Sequence, residues 1–157
     1  MASHPSVRAC ALAALLLAAP LARADGGSRP FVPPLPRYAQ ECGACHLPYP
    51  PGALPAASWQ GLLQDLPHHF GTDASVDAAT LAELSAWLNR HAGSWKRVSE
   101  APPQGRITNA AWFQRKHHEV GTATWKTAAV KSPANCSACH PGAEQGSFHE
   151  HDVRIPR

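Results

Sequence analysis

Cys42-Gly43-Ala44-Cys45-His46 and Cys136-Ser137-Ala138-Cys139-His140 are two copies of a C-x-x-C-H pattern, the spacing of a covalent c-type haem attachment site. Two thiols one helical turn apart can each add to a vinyl group of a single porphyrin, while the adjacent imidazole reaches the iron from the proximal side. Each copy therefore specifies one ring, held at Cys42 and Cys45 or at Cys136 and Cys139, and one iron ligand, His46 or His140. Two copies predict two haem c groups. The only methionine of the chain is Met1, so neither iron can take a thioether as its sixth ligand.

Upstream of the first copy, residues 1–24 read as an export signal. Arg8 precedes the apolar run Ala9–Ala19, and Ala22-Arg23-Ala24 supplies a small-x-small cleavage site. Export would place the mature protein in the periplasm. Cys10 lies inside the signal, so the cysteines left after cleavage all belong to the two patterns. The apolar run falls short of the roughly 20 residues of a membrane helix, and no later segment approaches that length. Of the 14 Lys+Arg in the chain, Arg8 and Arg23 fall in the signal, leaving 12 against 11 Asp+Glu. Such a balance excludes the electrostatic footprint of a nucleic-acid binder.

The pattern between and around the two copies predicts an all-α fold of two small haem-bearing lobes with short helices and long proline-rich loops. The N-terminal lobe is expected over 25–95 and the C-terminal lobe over 96–157, with Pro102 and Pro103 near the boundary. Asp25 to Pro36 is proline-rich and predicts an extended arm. Helices are expected from Arg37 to Cys45, and from Ala56 to Leu66 with Trp59, Leu62, Leu63 and Leu66 on one face, stopped by Pro67. The strongest helical pattern runs from Ser75 to His91. Leu81, Leu84, Trp87 and Leu88 form its apolar stripe, Asp73 or Ser75 its cap, and Asp77 favours its positive end. A further helix is expected from Asn109 to about Glu119, capped by Thr108. The Ser132-Pro133 pair predicts another that runs into Cys136 and His140. The tail after Pro141 shows no clear period.

The sixth iron positions fall to the remaining histidines of the mature chain: His68, His69, His91, His117, His118, His149 and His151. His69 lies 23 residues after His46, and His117 lies 23 residues before His140. His69 is favoured by the adjacent Phe70, and His117 by Phe113 four residues earlier on the same helical face. His68 and His118 stand as alternates, and crossed ligation between the halves stays open. His91, His149 and His151 read as solvated or helix-end residues, and the five tryptophans as core and haem wall. A pair of zinc knuckles is the competing reading of C-x-x-C plus histidine. A thioredoxin-like role would not need a histidine directly after the second cysteine.

Longer strings carry a resemblance to a family. They are Tyr38-Ala39-Gln40-Glu41 before the first pattern, then Tyr49-Pro50-Pro51-Gly52, Leu54-Pro55-Ala56, Ser58-Trp59, His69-Phe70-Gly71 and Ala74-Ser75. Arg106-Ile107-Thr108, Trp112-Phe113, Lys116-His117, Asn135 before the second pattern and the closing Val153-Arg154-Ile155-Pro156 complete the set. With them the chain resembles the small proteobacterial dihaem cytochrome c proteins over nearly all of its mature length. The resemblance implies two bis-histidine haems, with His69 and His117 as distal ligands, and a cytochrome c-like N-terminal lobe. It also implies electron exchange with other cytochromes, including a small oxygen-binding monohaem cytochrome c and a membrane cytochrome b.

With both axial positions filled by imidazole, no coordination site is open to a substrate. The expected role is therefore electron carriage and not catalysis, at potentials below those of Met/His cytochromes. Arg37, Lys116 and Lys126 could flank an exposed haem edge. The rival from the enzyme class is a small peroxidase or ligand reductase with one open or displaceable distal site. A third reading is a haem-bearing subunit with no free life of its own.

Overall fold

The computed structural model describes Met1 and residues 32–156. The expected signal beyond Met1 and the arm from Asp25 to Phe31 lie outside the described residues. The described part is all-α. Among the described residues the only β pairing is an isolated bridge between His69 and Thr72.

Helix α1 (Pro36–Cys42) begins with a proline in its first turn and closes where Gly43 N–H donates to Ala39 O at 3.1 Å. A β-carbon on Gly43 would collide with that same carbonyl. The helix was expected to reach Cys45. It ends at Cys42, and Cys45 and His46 sit in the turn beyond it.

Helix α2 (Ala56–Gln64) ends two residues before the expected Leu66, because Asp65 leaves the helical region at φ −127° and ψ 36°. Proline at position 67 has no N–H to donate to the Leu63 carbonyl, so the helical ladder cannot continue through it. The chain tightens instead into a 3₁₀ turn, Leu66–His68.

Helix α3 (Ala78–His91) is the longest described element. Its cap is Asp77, not Asp73 or Ser75. Asp77 Oδ1 accepts from Ala79 N at 2.9 Å and Thr80 N at 3.0 Å, while Thr80 Oγ1 donates to Oδ2 at 2.6 Å. Asp73 instead accepts from Ser75 N at 2.9 Å, turning the chain ahead of the helix.

The second half is built of shorter pieces. Helix α4 (Ala111–Lys116) falls short of the expected Asn109–Glu119, because Ala110 is extended at ψ 138° and separates it from a 3₁₀ turn at Ile107–Asn109. Thr108 therefore caps nothing. Its carbonyl accepts from the Gln114 side chain at 2.6 Å. Helix α5 (Thr122–Trp125), which no sequence signal announced, follows Gly121. No helix leads into Cys136: Ser132 Oγ accepts from Ala134 N at 3.1 Å in a local turn, and Asn135 at ψ 73° breaks the run. Cys136–Ala138 is a single 3₁₀ turn, and two more, Ala143–Gln145 and Glu150–Asp152, make up the tail.

The apolar core lies where α1, α2 and α3 meet. Tyr38, Leu54, Trp59, Leu63, Leu84 and Leu88 are buried together, with Cys42, Tyr49, Leu81 and Trp87 packed against them. Burying each leucine contributes about 1.5–3 kcal/mol relative to leaving it in water. In the second half the buried apolar residues are Ala110, Phe113, Val130 and Ala143.

Several contacts join the two halves. Trp112 Nε1 donates to Ala53 O at 2.9 Å, and Tyr49 Oη donates to Ala134 O at 3.2 Å. The Trp95 ring lies edge-on to Trp112 at 5.4 Å and to Phe148 at 6.0 Å. Gly52 is required beneath Trp95, since a β-carbon there would meet Ser94 Oγ and come within 2.7 Å of the indole. No helix among the described residues is long and apolar enough to cross a membrane.

Candidate functional site

At the first C-x-x-C-H, Cys42 closes α1 against the core while Cys45 and His46 are exposed. His46 Nδ1 lies 2.7 Å from the Leu47 carbonyl oxygen. Only a protonated Nδ1 makes that contact a hydrogen bond, so it fixes the tautomer whose Nε2 lone pair is free for a metal. His69 arrives from the 3₁₀ turn after α2. A tight reversal follows it, with Phe70 at φ +50° and Gly71 at φ +95°, closed by Thr72 N donating to His69 O at 3.1 Å. The Arg106 guanidinium sits 4.4 Å over the Phe70 ring and holds that reversal from outside. The outcome is a pair of imidazoles, His46 and His69, with ring centres 6.3 Å apart and planes 17° from parallel.

At the second C-x-x-C-H, His140 N donates to Cys136 O at 2.9 Å, so a single turn of chain carries both cysteines and the histidine. His117 stands at the C-terminal end of α4. Its Nδ1 is 2.9 Å from the Phe113 carbonyl, and its ring stacks on the Phe113 ring at 4.0 Å. The same tautomer is selected as at His46. His117 and His140 have ring centres 6.2 Å apart, with planes at 77°. Phe148 flanks His140 at 5.3 Å and Trp125 flanks His117 at 6.0 Å.

Both separations fit a six-coordinate iron. A metal–imidazole bond of about 2 Å, with roughly 1 Å more from ring nitrogen to ring centre, puts two axial imidazoles about 6 Å apart when they share one ion. A cavity of about 530 Å³ opens beside His46, walled by Cys45, Tyr49, Trp87 and Trp95. The alternates stand elsewhere. The His68 side chain is 82% exposed and bonded to Asp65 at 2.7 Å, and exposed His118 lies 2.9 Å from Arg115 O.

The profile of a family described as dihaem cytochrome c matches residues 38–148. The chain belongs to the dihaem cytochrome c family. Among solved structures, it is 40% identical to the dihaem cytochrome c purified from Rhodobacter sphaeroides. That match covers 75% of this chain and 100% of the other, with a TM-score of 0.65. It is 38% identical to a dihaem cytochrome c from Shewanella baltica, covering 80% of this chain and 95% of that one, with a TM-score of 0.69. No curated protein sequence matches the chain. Membership makes this a dihaem c-type cytochrome, and its paired cysteines are consistent with attachment of the two haems.

The electrostatics of this cytochrome suit uncharged sulfur. Burial pushes the Cys42 thiol up to about 11, with Glu41 adding to the effect, and burial likewise pushes Cys136 up to about 11 and raises Cys139. Thiol–disulfide exchange requires a thiolate. Among the described residues no group of three or more His, Cys, Asp or Glu converges as a metal cage. Burial, then the neighbouring His46, lowers the His69 pKa, which keeps that imidazole neutral with a lone pair to donate.

Two neighbours of these sites escaped sequence reasoning. The Tyr49 ring stacks on His46 at 4.9 Å, and Phe148 packs on His140. The Tyr-Pro-Pro-Gly string just after the first pattern could have drawn attention to Tyr49. Phe148 lies in an aperiodic tail and left no comparable signal.

Proposed function

We propose that this cytochrome is an exported, periplasmic electron carrier with two low-potential haems. One is bound through Cys42 and Cys45 between His46 and His69. The other is bound through Cys136 and Cys139 between His140 and His117. The observation that carries the proposal is the pairing of imidazoles, with ring centres 6.3 and 6.2 Å apart. Two sites so closed leave no iron position for oxygen, peroxide or nitrite, so the chemistry supplied by the haems is one-electron transfer.

The protein's own part is to hold the ligands. Leu47 O and Phe113 O fix the tautomers of His46 and His117, and Phe113 fixes the His117 plane. Imidazole in place of thioether stabilises ferric iron, which lowers both potentials. The lobes are 25–95 and 96–157, with 1–24 as the export signal. Partners of this carrier are other cytochromes, a monohaem oxygen-binding cytochrome c and a membrane cytochrome b among them.

The test is a redox titration of the mature, haem-loaded protein, followed by optical and electron paramagnetic resonance spectra, with haem mass counted by mass spectrometry. Two covalent, low-spin haems are expected. A five-coordinate resting haem, or rapid carbon monoxide binding to the reduced protein, would replace the carrier with an enzyme of the peroxidase or ligand-reductase class.

A further inference from the structure

His69 is held differently from His46 and His117. Those two set Nδ1 against a backbone carbonyl, at 2.7 and 2.9 Å. His69 Nδ1 is buried and has no hydrogen-bond partner among the described residues. A metal-bound imidazole is ordinarily oriented through its second nitrogen, so the plane of this ring must be fixed by another contact. The Phe70 ring supplies one, edge-on to His69 with centres 4.9 Å apart and planes at 63°.

Phe70 occupies a position that disfavours it. Its turn has positive φ at both central residues, +50° at Phe70 and +95° at Gly71, and is closed by Thr72 N donating to His69 O. That is the type I′ pattern, in which Asn-Gly is the favoured pair, and a bulky residue at positive φ is strained. The residue is also 44% exposed, so burial does not account for an aromatic there. What the ring has is two partners, the His69 imidazole and the Arg106 guanidinium 4.4 Å from its centre.

Arg106 is itself anchored through its backbone. Its N–H donates to Pro103 O at 3.3 Å and its carbonyl accepts from Asn109 N at 2.8 Å, so it is fixed between the 3₁₀ turns Pro103–Gly105 and Ile107–Asn109. Asn109 Nδ2 braces the first of these turns by donating to Pro103 O at 3.3 Å and Gln104 Oε1 at 3.1 Å. A cation over an aromatic face is attracted to it, and here the attraction ties the Phe70 ring to a rigid platform.

We propose that Arg106 is a positioning residue for the first haem: acting through Phe70, it fixes the plane of His69, so the second half of the chain sets the axial geometry of the haem carried by the first. The inference rests on His69 as the first distal ligand, proposed above.

The test uses the full, haem-loaded protein with Arg106→Ala, Arg106→Lys and Phe70→Asn. The lysine keeps a cation for the ring, and the asparagine keeps the turn while removing the ring. Electron paramagnetic resonance of the oxidised protein reads the ligand planes of each haem, alongside thermal melts. Arg106→Ala and Phe70→Asn are expected to shift the low-spin signal of the first haem in the same direction, with that of the second unmoved, and Arg106→Lys to stay close to wild type. An unshifted first signal in Arg106→Ala and Phe70→Asn, even with lower melting temperatures, would make the pair a structural clasp only and overturn the proposal. Equal shifts of both signals would overturn it as well. Failure of the ligand assignment reads differently: His69→Ala alone would then leave both haems low-spin.

Discussion

His46 and His69 hold their imidazole planes within 17° of parallel. The second pair, His117 and His140, is near perpendicular at 77°. Relative ring orientation controls the splitting of the ferric iron d orbitals that interact with the ligands. Near-parallel rings split them widely and near-perpendicular rings leave them almost degenerate. The oxidised protein is therefore expected to show two distinct low-spin resonances, an ordinary rhombic one and a highly anisotropic one. Two superimposable signals would contradict the geometry.

Each distal histidine should answer for one haem. His69→Ala is expected to turn the first haem high-spin and leave the second unchanged, and His117→Ala the reverse. His68→Ala and His118→Ala should leave both low-spin, because those side chains point to Asp65 and to the Arg115 carbonyl. Optical spectra of the four variants decide it. A high-spin product from either of the last two would reassign the ligand.

Legibility followed range along the chain. C-x-x-C-H is a five-residue statement about chemistry, and the Leu81, Leu84, Trp87 and Leu88 stripe is a local period; Leu84 and Leu88 are indeed buried in α3. The α3 cap was harder, since Asp73, Ser75 and Asp77 all have capping chemistry and only the backbone shows which one reaches two N–H groups. Elements of three or four residues, such as Cys136–Ala138 and α5, are too short to display a period at all. The contact of Tyr49 with Ala134 depends on how the halves meet, which no local pattern encodes.

The α3 cap supplies a pH dependence. Hydrogen bonds from the Thr80 side chain and backbone, then from Ala79, hold the Asp77 carboxyl below the usual carboxylate range. Its contribution to stability is present above the unfolded value of about 4 and is lost as pH falls through the folded one. Asp77→Asn can still cap but cannot titrate. Thermal melts should show wild type losing its advantage over this variant as pH drops below about 4. Parallel pH profiles would refute the assignment.

Gly52 is expected to be intolerant of any side chain. In Gly52→Ala the new methyl would come within 2.7 Å of Trp95 Cδ1, and Trp95 would have to leave its contacts with Trp112 and Phe148. Overpacking of this kind costs about 1–3 kcal/mol. Denaturant melts of the loaded protein measure it, and a loss below about 0.5 kcal/mol would show that the indole simply moves aside.

The burial of Cys42 against the α1–α3 core has a consequence for biogenesis. A core whose fully buried side chains all come from the first half can collapse before any porphyrin arrives, and in doing so it would sequester one of the two thiols that ligation needs. Maturation of the first site then becomes a race between folding and thioether formation. Slowing the folding should help the slower runner: Leu84→Ala, a loss of about 2–5 kcal/mol in a buried position, is expected to raise occupancy at Cys42 when haem loading is limiting, as read by intact mass. Lower occupancy would show that a folded apoprotein is the preferred substrate. On this account the stability of the N-terminal core is bounded from above, by the time its own cofactor takes to arrive.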